Sequence, residues 1–65
     1  MKEYRIKVKL PGREFAVEWL EGRAKVEAIA YEFAGLYGPE AIVIVEREYK
    51  ERERVEMKVI PLRAF

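Results

Sequence analysis

The chain has 65 residues, 51% of them apolar and 38% charged, with 13 cations against 12 carboxylate side chains. Ser, Thr, Asn, Gln, Asp, His and Cys are absent altogether. Their absence removes the usual side-chain nucleophiles, the imidazole base, the thiolate and imidazole metal ligands and any disulfide, so the expectation is a non-enzymatic protein without metal or cofactor.

A chain this short has room for a single α+β domain over residues 1–65, near the size at which one hydrophobic core suffices without a staple. Its acids are all Glu, and it lacks heat-labile Asn, Gln and Cys, which matches a thermostable, hyperthermophile-type composition. An engineered, reduced-alphabet protein with no natural function would carry the same signature. Met1-Lys2-Glu3-Tyr4-Arg5 has none of the features of a secretory leader, and no apolar run reaches membrane-spanning length. A cytoplasmic protein with no membrane partner is expected.

Tyr4 to Leu10 alternates apolar with basic residues, which predicts a strand over about 3–10 with one buried face. Pro11-Gly12 suits the centre of a type II turn, and Arg13 to Leu20 alternates again, giving a second strand over about 13–20. Facing Leu10 with Arg13 pairs Lys9 with Glu14, Val8 with Phe15, Lys7 with Ala16, Ile6 with Val17 and Tyr4 with Trp19. Residues 23–37 change to helical periodicity, with Val26, Ile29, Ala30, Phe33 and Tyr37 on one stripe between Gly22 and the stop at Gly38-Pro39.

Ala41 to Val45 is apolar on both faces and predicts the most buried strand, over about 41–49; a fourth follows over about 53–60. Opposite charges select a register pairing Val45 with Val55, Glu46 with Arg54, Arg47 with Glu53 and Glu48 with Arg52. The order β-β-α-β-β favours a mainly antiparallel sheet arranged 2-1-3-4, with the helix on one face. Its predicted core is Tyr4, Ile6, Val8, Phe15, Val17, Trp19, Val26, Ile29, Ala30, Phe33, Val43, Val45, Val55, Met57 and Val59.

The element order and basic first strand are broadly similar to those of some small archaeal ribosomal proteins. This is a likeness of architecture alone, and the high Glu content departs from the basic balance of that class.

Two surfaces are candidates for function. Arg5, Lys7, Lys9 and Arg13 on the first hairpin, with Arg47, Arg52 and Arg54 on the second, could track an RNA or DNA backbone, with Tyr49 available to stack on a base. Ala24, Ala28, Tyr31 and Gly35 on the helix flank, with Ile42, Ile44, Ile60, Leu62 and Phe65, could form a homodimer or bind a protein partner. The nucleic-acid reading is placed first, with the interaction module or homodimerising scaffold as its alternative.

Overall fold

Alternation along β1 (Lys2–Leu10) puts Tyr4, Ile6 and Val8 on one side of the strand and Glu3, Arg5, Lys7 and Lys9 on the other. The remaining elements assemble around that division. The computed structural model describes residues 1–50 and 54–65, with 49, 50 and 54 described through their backbone. β2 is Arg13–Ala16, α1 is Arg23–Tyr37, a 3₁₀ turn at Pro39–Ala41 leads into β3 (Ile42–Lys50), and β4 (Arg54–Pro61) runs into a second 3₁₀ turn at Leu62–Ala64. The four strands form an antiparallel sheet in the order β2-β1-β3-β4, with α1 packed against it, the α+β architecture predicted by the sequence.

Local chemistry explains the punctuation. Gly12 has φ 70°, which suits the second central position of a type II turn. At Gly38 a φ of 93° ends α1, and its N–H donates to the carbonyl of Ala34 at 2.9 Å.

The helix buries Val26 and Ala30 against Ile6, Val8, Ile42 and Ile44, with Ile29 and Phe33 packed at the margin. The C-terminal residues close this layer. Leu62 is buried in the same cluster, and the ring of Phe65 meets Tyr4 edge-on at 5.3 Å between centroids. Arg23 holds the tail from the helix, donating from its guanidinium to the Phe65 carbonyl and lying over the Phe65 ring at 4.3 Å.

The structure corrects the sequence reading in three places. First, the β1–β2 register holds from Leu10–Arg13 to Lys7–Ala16, but Tyr4 then pairs with Leu20 instead of Trp19. One extra residue enters the second segment, so Leu20 takes the inward position and Trp19 turns to the opposite face.

Second, β3 presents Ile42 and Ile44 to the helix, because Ile44 lies opposite Ile6 and Ile42 opposite Val8. Val43 and Val45 occupy the other face, where Val45 is nevertheless buried as expected, while Val55, Met57 and Val59, expected in the core, are exposed. Isoleucine carries one methylene more than valine, and each buried CH₂ contributes about 0.8 kcal/mol, so the larger pair gains more from the closed side.

Third, β4 pairs four residues farther along than charge matching predicts: Val45 faces Val59, Ile44 faces Ile60 and Glu48 faces Glu56. The charge-matched register would have set Ile44 against Glu56 and Ile42 against Lys58 on the core side. Exposed cross-strand ion pairs contribute roughly 0.2–1 kcal/mol each, less than the cost of placing carboxylate and ammonium groups beside the buried isoleucines.

These placements separate the strand residues energetically. Ile44→Ala is expected to cost about 2–5 kcal/mol in denaturant unfolding, while Met57→Ala, on the exposed row, costs under about 1 kcal/mol. A Cβ added at helical Gly35 meets no atom within 4 Å. Gly35→Ala should therefore stabilise the fold by about 0.5–1 kcal/mol in the same measurement.

Candidate functional site on the helix-free face

Glu3, Arg5, Lys7 and Lys9 of β1, Val43, Val45 and Arg47 of β3 and Val55, Met57 and Val59 of β4 share the side of the sheet away from α1, joined by Glu14 and Ala16 of β2. This face divides into two strips. Over β2 and β1 it is charged, with Trp19 at its edge and Arg47 of β3 reaching toward it; the rest of β3 and β4 contributes the apolar Val43, Val45, Val55, Met57 and Val59.

The charged strip is extensively self-engaged. Arg47 donates from Nε to Glu3 Oε1 at 2.9 Å, and its second guanidinium nitrogen lies 2.8 Å from the same oxygen. The guanidinium of Arg47 also lies 4.0 Å from the centre of the Trp19 ring, and that of Arg5 lies 4.8 Å from it. The Nε of Arg5 is buried and meets no acceptor among the described residues, so stacking is the contact that holds this side chain. Lys7 is 3.8 Å from Glu14.

Of the other cations singled out in the sequence, Lys9 projects from the same face, exposed at the end of β1. Arg13 falls on the opposite face, over the ring of Phe15 at 5.8 Å. The structure therefore gathers Arg5, Lys7, Lys9 and Arg47 and separates Arg13 from them. Arg52 lies outside the described residues, and Arg54 is placed by its backbone at the start of β4.

The expected self-association surface is dispersed. Ala24, Ala28, Tyr31 and Gly35 are exposed on α1, whereas Ile42 and Ile44 are buried in the floor of the core beneath it, Ile42 reaching only the base of a cleft beside Tyr31. Ile60 faces Ile44 on that same side, Leu62 is buried and Phe65 is engaged with Tyr4 and Arg23. These apolar residues close the core because the tail folds back across the end of the sheet.

A second apolar surface lies on β4, an edge strand. Met57 is 65% and Val59 64% exposed, and Val55 is 41% exposed. The backbone of the same residues also points outward. Tyr4 exchanges both backbone hydrogen bonds with Leu20, at 2.8 and 2.7 Å, and Ile6 accepts one from Val17 at 3.0 Å, so the even residues of β1 bond toward β2. Antiparallel alternation then directs Glu3, Arg5 and Lys7 toward β3, and Ile44, Glu46 and Glu48 toward β4. Val55, Met57 and Val59 are left with their peptide N–H and C=O groups along the open edge.

Sequence reasoning missed this surface although the residues were in view. Their alternation with Glu56 and Lys58 identifies an apolar row but carries no information about which side of the sheet the helix covers.

Two other concavities offer less. A cleft of about 510 Å³ between Tyr31, Pro39, Ile42, Pro61 and Leu62 has mainly apolar walls, with Glu40 and Arg63 as its charged members. No set of polar groups converges there. On the helix side beyond α1, Glu46, Glu48 and Glu56 lie near Lys2 and Lys58, and Lys2 is 3.9 Å from Glu46. Among the described residues no group of acidic side chains is arranged to hold a metal ion, and no helix is long and apolar enough to cross a membrane.

Comparison with family models, with characterised proteins and with solved structures finds no match to this chain. The functional reading accordingly rests on the chemistry of the surface.

The Trp19 cluster can be tested through the chain's single tryptophan. Arg47→Ala is expected to shift Trp19 emission to longer wavelength as water reaches the ring, with a stability loss of about 0.5–2 kcal/mol in denaturant titration. An unchanged spectrum would separate Arg47 from the ring.

Proposed function

We propose that this protein is a polypeptide-docking module that takes up an extended segment along the β4 edge. One observation carries the reading: a strand of eight residues, Arg54–Pro61, combines an outward-facing backbone with an exposed apolar row at Val55, Met57 and Val59. An edge strand that must stay solitary ordinarily carries a charge, a proline or a bulge where another strand would add. Here Pro61 comes at the end of β4, and Glu56 and Lys58 point to the helix side, away from the apolar row. An added strand would gain main-chain hydrogen bonds from the edge and side-chain contact from the row, the recognition mode called β-augmentation. The missing residue types fit this role, since it requires backbone groups and alternating side chains instead of a nucleophile or a metal ligand.

Direct measurement uses a panel of eight-residue synthetic peptides that alternate valine with charged residues, added to the isotopically labelled protein. Binding should slow amide exchange at Val55, Met57 and Val59, and Met57→Lys with Val59→Lys should abolish it. Failure of every peptide to protect those amides, in a protein that also shows no self-association through β4, would overturn the reading.

A second reading is contact with a nucleic-acid backbone by Arg5, Lys7 and Lys9, which occupy the uncovered face as a row at two-residue spacing. Its electrostatics are reduced by the contacts of Arg5 with Trp19 and Lys7 with Glu14. Titration of single- and double-stranded RNA and DNA at low and moderate salt tests it, with Lys7→Glu and Lys9→Glu as controls. Binding that falls steeply with salt and weakens in both variants would support this reading, and no binding at low salt would end it.

A further inference from the structure

Resting on the polypeptide-docking reading, we propose that the segment received by β4 is β4 of a second copy of this chain, paired antiparallel about a two-fold axis at Met57. Antiparallel pairing of a strand with itself fixes every contact once its centre is chosen. With Met57 opposite Met57 of the second copy, Val55 meets Val59, Val59 meets Val55, Glu56 meets Lys58 and Lys58 meets Glu56. The apolar row is thus apolar across the junction, and the charged row is opposite in sign at both of its positions.

The backbone obeys the same centre. Val55, Met57 and Val59 direct their peptide groups outward, so the pairs Val55–Val59, Met57–Met57 and Val59–Val55 become the hydrogen-bonded pairs of the new ladder. Glu56 and Lys58 become the closely spaced non-hydrogen-bonded pairs, where cross-strand side chains interact best.

Glu48 and Glu56 stand directly opposed across β3 and β4, with Lys2 and Lys58 nearby. The junction brings a lysine beside Glu56 from its other side. Among the described residues, α1 packs chiefly on β1 and β3 and the C-terminal turn on β3, which leaves β4 at the margin of the helix-covered layer. The product is a continuous eight-stranded sheet with both helices on one face. A strand edge buries less than the roughly 1,200–2,000 Å² of a standard interface, so association is reversible and concentration-dependent.

Charge reversal and cysteine placement test both the partner and the register. Sedimentation analysis from micromolar to millimolar concentration is expected to show a monomer–dimer equilibrium. Glu56→Lys and Lys58→Glu should each weaken it by about tenfold or more, since each sets like charges opposite at both positions, and an equimolar mixture of the two variants should recover a heterodimer. Emission from Trp19 and far-ultraviolet circular dichroism establish that the variants remain folded.

Because the chain has no cysteine, single thiols report the register without background. Met57→Cys places two thiols on residues whose Cα atoms are about 5.5 Å apart across a hydrogen-bonded pair, within disulfide range. Val59→Cys alone leaves them about 13 Å apart along the strands, whereas Val59→Cys mixed with Val55→Cys brings them opposite. Rapid oxidation to a covalent dimer is expected for Met57→Cys and for the mixed pair, and slow oxidation for Val59→Cys alone.

A chain monomeric at every concentration, with no accelerated cross-linking at Met57, would overturn the proposal. So would a dimer indifferent to both charge reversals, which would indicate packing through the sheet face. A monomer that nevertheless binds the synthetic strands would overturn the homodimer while leaving polypeptide docking intact; a monomer that binds none would overturn both.

Discussion

The competition between the two apolar sides of β3 for the space beneath the helix determines much of this structure. Ile42 and Ile44 occupy that space and Val43 and Val45 are turned away from it. Once Ile44 stands against Ile6, the pleat assigns every other residue of the sheet to a side. The cationic residues Arg5, Lys7 and Lys9 fall on the uncovered face for the same reason that Val55, Met57 and Val59 do. Core packing and surface chemistry are consequences of a single register choice.

That choice leaves the two ends of the sheet unequal. At the β2 end, Trp19 is held with Arg5, Arg47 and Glu3 in a compact group that shields apolar ring area and engages charge. At the β4 end no comparable group among the described residues covers Met57 and Val59, and β4 is the last strand of the sheet. The C-terminal turn reinforces the contrast by placing Leu62 in the core and Phe65 on Tyr4, so the tail completes the helix-side layer while Met57 and Val59 on the opposite face stay exposed. A domain of this size has little apolar surface to spare, and a contiguous row left outside the core is an unusual use of it.

Much of the architecture was legible in the residues because it depends on local signals. The change from two-residue to helical periodicity, with Gly22 before and Gly38 after, places α1 at Arg23–Tyr37 as expected. Pro11-Gly12 fixes the first hairpin and its register up to Lys7–Ala16. An apolar third strand beside β1, with one crossover through the helix, yields the order β2-β1-β3-β4. The candidate surface was less legible. Arg5, Lys7 and Lys9 were identifiable as a row, but the contacts of Arg5 and Arg47 with Trp19 depend on an extra residue before Leu20 that alternation does not reveal.

What the sequence determined by itself is what short stretches of chain decide: the type and order of the elements, the turns between them, and the absence of the residue types on which most catalytic chemistry depends. Tertiary structure decided which apolar side of β3 meets the helix, that β4 pairs Ile60 with Ile44, and therefore that Val55, Met57 and Val59 face outward. The physical reason is that both sides of these strands satisfy the same local pattern. Only the three-dimensional competition to bury the larger side chains, at the expense of weaker charge pairing between β3 and β4, distinguishes them.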